Sequence, residues 1–275
     1  MKVASYRVGG RLTWGVVTGD SVSDLGADGP VTLDDALKTG APVRDREDAP
    51  RHALSDIEFA VPVADPEKIL CVGRNYKDHV AEGKNKELPG HPGFFARNRL
   101  SLTPHDGPIL RPGVSDNLDY EGELGIVIGR SARNLTRETA LDCVFGYTCF
   151  NDGTLRDFQD KYSALVGKNF PSTGGLGPWV VTADEIGDPS GLTLETRLNG
   201  EVMQSSSTDR MIFDVQTILC FVSVFTELRP GDIVVTGTPE GVGKARTPPV
   251  WMKPGDTVEV EIEKIGTLRN VIRQE

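Results

Sequence analysis

Residues 117–129, NLDYEGELGIVIG, constrain the fold more than any other stretch of the chain. The apolar run 124–128 reads as a strand, and two carboxylates, Glu121 and Glu123, stand two apart at its head. In a strand successive side chains alternate faces, so both carboxylates project from the same face, their Cα atoms roughly 6.6 Å apart. Two long side chains at that spacing can converge on one ion, and hard oxygen ligands suit a cation such as Mg²⁺ or Mn²⁺. By itself E-x-E describes an edge strand with its charged face in water at least as well. Asp152, in the segment CFND, tips the balance, following about thirty residues on after a second apolar stretch. Three carboxylates without an obvious basic partner repel one another unless a cation sits among them. They read as a metal site.

At 275 residues the chain is long enough for one large domain, or for one domain with a small appendage. Its 30 basic residues against 40 acidic give a formal charge of −10. That balance argues against nucleic acid or an anionic membrane as partner and favours solubility. An anionic small substrate stays open, because a metal and a few basic side chains invert the field locally. The four cysteines form no C-x-x-C pair and no zinc-like spacing, so reduced thiols are expected. The opening residues lack an apolar signal core, and the longest apolar stretch, 218–225, is far too short to span a bilayer. A cytoplasmic location is the resulting expectation.

Residues 1–62 read as a small strand-rich unit. Strands are expected at 3–6, 14–17 and 22–25, broken by glycines, with a short helix at 32–38 capped by Thr32. The remainder, 63–275, carries the chemistry. A buried-strand signal at 68–73 runs into RNYKDHVAEGKNKELPGHP, where Asp78 is placed to cap one helical turn. That turn sets His79 and Glu82 three apart on one face. A carboxylate beside an imidazole fixes its tautomer and raises its basicity, a general-base arrangement, although H-x-x-E alone also describes an exposed surface pair. Gly83, Lys84, Asn85, Pro89, Gly90 and Pro92 punctuate the stretch beyond that turn, so residues 76–92 are expected to form a mobile lid.

Phe94 and Phe95 read as core, and Arg97 as either a carboxylate receptor or a surface arginine. Beyond Asp152, Arg156 and Gln159 share a helical face directed at whatever Asp152 holds. Lys168 lies beside a glycine-rich loop, but the spacing is not that of a P-loop and nucleotide binding is set aside. Asn199-Gly200 marks a hairpin turn. One long helix is expected at 215–226, capped by Asp214, with Val215, Ile218, Leu219, Val222 and Phe225 at helical spacing. In VVTGTPEGVG, residues 234–243, the glycines let backbone approach a ligand and Thr238 offers a hydroxyl; an ordinary tight loop is the alternative. Many strands and one real helix argue for a mixed, β-dominated α/β fold rather than a doubly wound sheet.

Taken together, KILCVGRNYKDHVAE, DYEGELGIVIG, GYTCFNDGTLRDFQ, GKNFPSTGGLGPWVV, LNGEVMQ and PGDIVVTGTPEGVG resemble the fumarylacetoacetate hydrolase family, over roughly residues 62–270. The likeness lies in the order and number of these segments. It implies a β-sandwich roll around a metal site, a small N-terminal domain and a homodimer. It implies Glu121, Glu123 and Asp152 as ligands of Mg²⁺ or Mn²⁺, with Ca²⁺ a further candidate ion. His79 and Glu82 match a lid dyad, and Lys168, Arg156 and Gln159 match positions around a developing oxyanion. Arg74, Tyr76, Arg97, Gln204 and Thr238 are the implied contacts to a small 2-oxo acid substrate. Where many relatives carry a lysine-proline pair, this chain has Ala96-Arg97-Asn98, which bears on the substrate's distal end. The expected reaction is metal-assisted hydrolysis of a C–C bond in a 2,4-dioxo acid of acylpyruvate or fumarylpyruvate type, with His79 activating water and pyruvate leaving. Decarboxylation of an oxaloacetate-type acid, or isomerisation of a 2-hydroxy-dienedioate from aromatic catabolism, would use the same electrophilic half of the site.

Overall fold

The run headed by the two glutamates forms the strand Gly122–Ile128, every residue of which is buried. Leu124, Ile126 and Ile128 enter one apolar core and Val127 the opposite one, as the two-residue period requires. The strand is central rather than an edge, paired with Val144–Asn151 on one side and Ile233–Val235 on the other. The computed structural model, which describes residues 1–83 and 86–275, is mixed α/β and β-dominated.

A twelve-stranded sheet runs in the order Arg51–Ala53, Ser21–Ser23, Arg11–Thr18, Lys2–Val8, Gly174–Thr182, Val144–Asn151, Gly122–Ile128, Ile233–Val235, Ile69–Gly73, Gly93–Arg97. Two short strands, Glu58–Phe59 and Leu102–Pro104, pair off that path. A second sheet of five strands is built on the hairpin Thr193–Leu198 and Glu201–Ser207 with Thr257–Ile262, Gly266–Gln274 and Pro108–Arg111. Leu194, Val260 and Leu268 of the second sheet pack against Leu124, Ile126 and Tyr147 of the first. Sheet faces on sheet, and the helix Val215–Phe225 closes the same core with Val215, Ile218, Leu219 and Val222. Its cap is the expected one, Asp214 accepting from the Thr217 N–H at 2.8 Å. Phe225, the last of the periodic set, is exposed instead and lies edge-on to Phe94.

The helix expected near residue 32 is Leu33–Thr39, capped by Thr32. Its unit is less separate than its sequence pattern. Lys2–Val8 pairs with Gly174–Thr182, and Trp14, Val16 and Leu33 share one core with Cys71, Phe150 and Val235. Sheet and core run across the division expected at residue 62. Among the described residues no helix is long and apolar enough to cross a membrane.

Candidate active site

Antiparallel pairing brings the three acids together. Gly122 stands opposite Asn151, so Glu121 and Asp152 flank the same rung, and the Asp152 N–H donates to the Glu121 carbonyl at 2.8 Å. Asn151 accepts from the Glu121 N–H at 3.0 Å and fixes that corner. Carboxylate oxygens of Glu121, Glu123 and Asp152 lie within 4.8 Å of one another, and all three residues are buried.

The acids do have basic partners, contrary to the expectation from sequence. Lys168 Nζ donates to Glu121 at 2.5 Å and to Asp152 at 2.6 Å. Arg97 Nη1 donates to Asp152 at 2.5 Å, and Arg156 donates to Glu121 at 2.6 Å and to Asp119 at 2.7 Å. Burial works against the charge on Glu121, but Arg156 and Lys168 outweigh it and hold the carboxyl down at about 2. Lys168 is likewise buried, yet Asp152 and Glu121 raise its pKa and keep it charged. Glu123 is the exception. It accepts the Gly237 N–H at 2.6 Å and forms no side-chain ion pair among the described residues. Burial, then the charges of Asp152 and Glu121, push its pKa well above the ordinary carboxyl range.

This donor set fits a divalent cation. Asp119, Glu121, Glu123 and Asp152 face Arg97, Arg156 and Lys168, which leaves one net negative charge when all are ionised. A divalent ion would turn the site positive, suited to an acid substrate, and would supply Glu123 with the partner it lacks.

Above the acids, the helix Lys77–Glu82 starts from Tyr76 rather than from Asp78, whose carboxylate pairs with Arg210 at 3.1 Å. His79 Nδ1 and Glu82 Oε2 are 3.1 Å apart, as their spacing predicted. The second Glu82 oxygen accepts the Gly241 N–H at 2.7 Å, so the glycine loop holds the dyad from behind. Of the punctuated segment after this helix, Lys84 and Asn85 lie outside the described residues.

His79, Arg74, Glu121, Glu123, Asp152, Arg156, Gln159, Lys168 and Thr238 line one cavity of about 130 Å³, with Val72, Phe95 and Ala164 as its apolar wall. Arg74 enters it from a left-handed backbone, φ 56°. Three expected substrate contacts do not reach it. Arg97 is buried, its guanidinium taken up by Asp152, the Gly153 carbonyl, Ser101 and Thr173. Gln204 spends its amide on Thr238, the Pro239 carbonyl and the Gly122 N–H, so it positions Thr238. Tyr76 is buried, its backbone bridged to Met211. Lys168, expected as an oxyanion donor, sends all its bonds to Glu121 and Asp152. One residue escaped the sequence reading and another was read for a different role. Asp119 anchors Arg156 and accepts the Gly243 and Lys244 N–H groups, and Gly241 anchors Glu82. Asp119 was visible only as one more acid before the strand.

The chain is similar to known proteins in sequence and in fold. The family model described as fumarylacetoacetate (FAA) hydrolase C-terminal matches residues 68–273. Oxaloacetate tautomerase YisK of Bacillus subtilis is 42% identical over 226 residues, 80% of this chain and 75% of the relative. The solved fumarylacetoacetate hydrolase of Exiguobacterium antarcticum is 37% identical with a TM-score of 0.91, each chain covered to 100%. A maleylpyruvate hydrolase from Sphingobium sp. SYK-6, solved with manganese (II) ion and pyruvate, is 29% identical with a TM-score of 0.82, covering 100% of this chain and 99% of that one.

Proposed function

Because the chain belongs to the fumarylacetoacetate hydrolase family, we propose that it is a metal-dependent tautomerase, interconverting the enol and keto forms of a small 2-oxo acid of the oxaloacetate kind. The observation that carries this reading is the His79–Glu82 dyad lining the same small cavity as the three carboxylates. An ionised Glu82 can only accept, so it draws the imidazole proton to Nδ1 and leaves the Nε2 lone pair for the substrate. Nε2 takes a proton from C3 of the keto acid, and the imidazolium, stabilised by Glu82, returns it to the oxygen at C2. The reverse passage gives the keto form. Glu121, Glu123 and Asp152 would hold Mg²⁺ or Mn²⁺, which supplies Lewis-acid polarisation of the 2-oxo group. Arg74, Arg156, Gln159 and Thr238 line the same cavity and would orient the acid.

Two points favour proton transfer over hydrolysis. Lys168, which an oxyanion hole would need, is engaged by Glu121 and Asp152. The relative at 42% identity carries the name oxaloacetate tautomerase. Hydrolysis of a 2,4-dioxo acid stands as the second reading, favoured by the likeness to maleylpyruvate hydrolase.

Loss of enol-oxaloacetate absorbance, with and without Mn²⁺, tests the proposal beside pyruvate release from acetylpyruvate and fumarylpyruvate. Metal-dependent acceleration of enol decay is expected, falling about 10²–10⁴-fold in His79→Ala while Mn²⁺ binding persists. Rapid pyruvate release with enol decay no faster than in buffer would replace tautomerisation by hydrolysis.

A further inference from the structure

The two residues that precede Glu121 tie its strand to the loop that holds Glu82. Asp119 and Tyr120 are fully buried, and the backbone of Asp119 pairs with Thr154. The Asp119 carboxylate accepts four N–H groups. Oδ1 takes those of Tyr120 and Gly243 at 2.9 and 2.8 Å, and Oδ2 takes the Arg156 Nε–H and the Lys244 N–H at 2.7 and 3.1 Å. That fills the roughly four lone-pair positions of a carboxylate. The Tyr120 hydroxyl donates to the Gly241 carbonyl at 3.1 Å and accepts from Arg246 Nε at 3.2 Å. Close approach is built in: a Cβ on Gly243 would lie 2.6 Å from Asp119 Oδ1 and 1.9 Å from the Val250 carbonyl oxygen.

Gly241 is the residue whose N–H braces Glu82, at 2.7 Å. The brace matters because the dyad's own element is weak. The helix Lys77–Glu82 is six residues long, and a pair three apart on one turn contributes little by itself. The first half of the loop already lies on the triad's strand, the Thr238 hydroxyl donating to the Gly122 carbonyl at 3.0 Å. Asp119 and Tyr120 hold its second half, the part that carries Gly241. That half is also tied to the second sheet, Arg246 donating to the Met203 carbonyl at 2.7 Å.

We propose that Asp119 and Tyr120 are positioning residues that register the His79–Glu82 base against the carboxylate triad, by clamping the part of the loop from which Gly241 aims Glu82. The Asp119 oxygen that takes the Lys244 N–H also sets Arg156, so base and arginine are referred to one carboxylate. Base and triad are thereby aligned before a substrate arrives, the condition for reacting groups to meet in a near-attack geometry. The role rests on Glu82 as the group that orients the imidazole and on the triad as a cation site, whichever 2-oxo acid is turned over.

Imidazole nitrogen NMR spectra of the metal-free protein, recorded where the rings are neutral and assigned with His79→Ala, test the clamp beside calorimetric titration with Mn²⁺. The parent should show His79 as one tautomer, its proton on Nδ1. In Tyr120→Phe, which deletes a hydroxyl and keeps the ring, the two His79 nitrogens should shift toward averaged positions while Mn²⁺ affinity stays nearly unchanged. Asp119→Asn should average them at least as far, because its amide nitrogen meets N–H donors whichever way the group lies. Should that variant fail to fold, Tyr120→Phe decides alone. Parent-like His79 signals in Tyr120→Phe would overturn the clamp and leave the dyad standing. Averaging joined to a large loss of Mn²⁺ affinity would overturn it too, since the pair would then support the triad's strand itself. A parent whose His79 carries its proton on Nε2, or that binds no Mn²⁺, would instead remove the dyad or the triad, and the register with it.

Discussion

Asp152 is gripped from both sides, by Arg97 at 2.5 Å and Lys168 at 2.6 Å, whereas Glu123 has only a backbone N–H. Asp152→Ala leaves buried Arg97 without its acid and Lys168 with Glu121 alone, and should cost about 3–5 kcal/mol, the range for breaking a buried pair from one side. Glu123→Gln keeps an acceptor for Gly237 and replaces a carboxyl whose ionisation burial already opposes, so metal-free stability should hold or increase. Both variants should lose Mn²⁺ affinity. Chemical denaturation of the metal-free proteins, read beside the titrations, checks the contrast; equal destabilisation would mean that Glu123 has a cationic partner. The triad was legible because strand parity and one later aspartate sufficed. Its cations were not, since Arg97 and Lys168 stand 55 and 16 residues from Asp152 and no local periodicity links them.

The pairing of His79 with Glu82 follows from three-residue spacing on one helical turn, so a single element displays it. What aims the pair is a different element, 159 residues away: the loop whose Gly241 N–H holds Glu82. Gly241 has φ 97°, and a Cβ there would sit 2.2 Å from the Met203 carbonyl oxygen. Gly241→Ala should therefore shift this loop and loosen the dyad while leaving the carboxylate triad in place. Turnover should fall by about 10-fold or more with Mn²⁺ affinity nearly unchanged, since losing alignment costs less than losing the base outright. Parallel loss of metal affinity would place the loop's role in the triad instead. From sequence the glycines of 234–243 suggested close approach to a ligand; Gly241 approaches Glu82 and Met203 instead.

Across the whole molecule, the β-dominated class and the sheet-on-sheet core were legible from alternation and turn signals in the second half of the chain. The place of residues 1–62 was not, because nothing in the segment of Lys2–Val8 announces a partner as remote as Gly174–Thr182. A fragment comprising residues 63–275 should be expressed largely insoluble, with Gly174–Thr182 bared along one edge and the Trp14, Val16 and Leu33 side of the core stripped. Recovery of a soluble fragment with native circular dichroism would refute that. The same pairing imposes an order in time. During synthesis the strand Lys2–Val8 leaves the ribosome well before Gly174–Thr182, and until that strand arrives its second edge is covered only by Glu58–Phe59, at Tyr6 and Arg7. At about 5–20 residues per second that wait is on the order of ten seconds or more. For its duration the leading hairpin is an open, pairing-competent edge, a natural client for the chaperones that shield nascent chains.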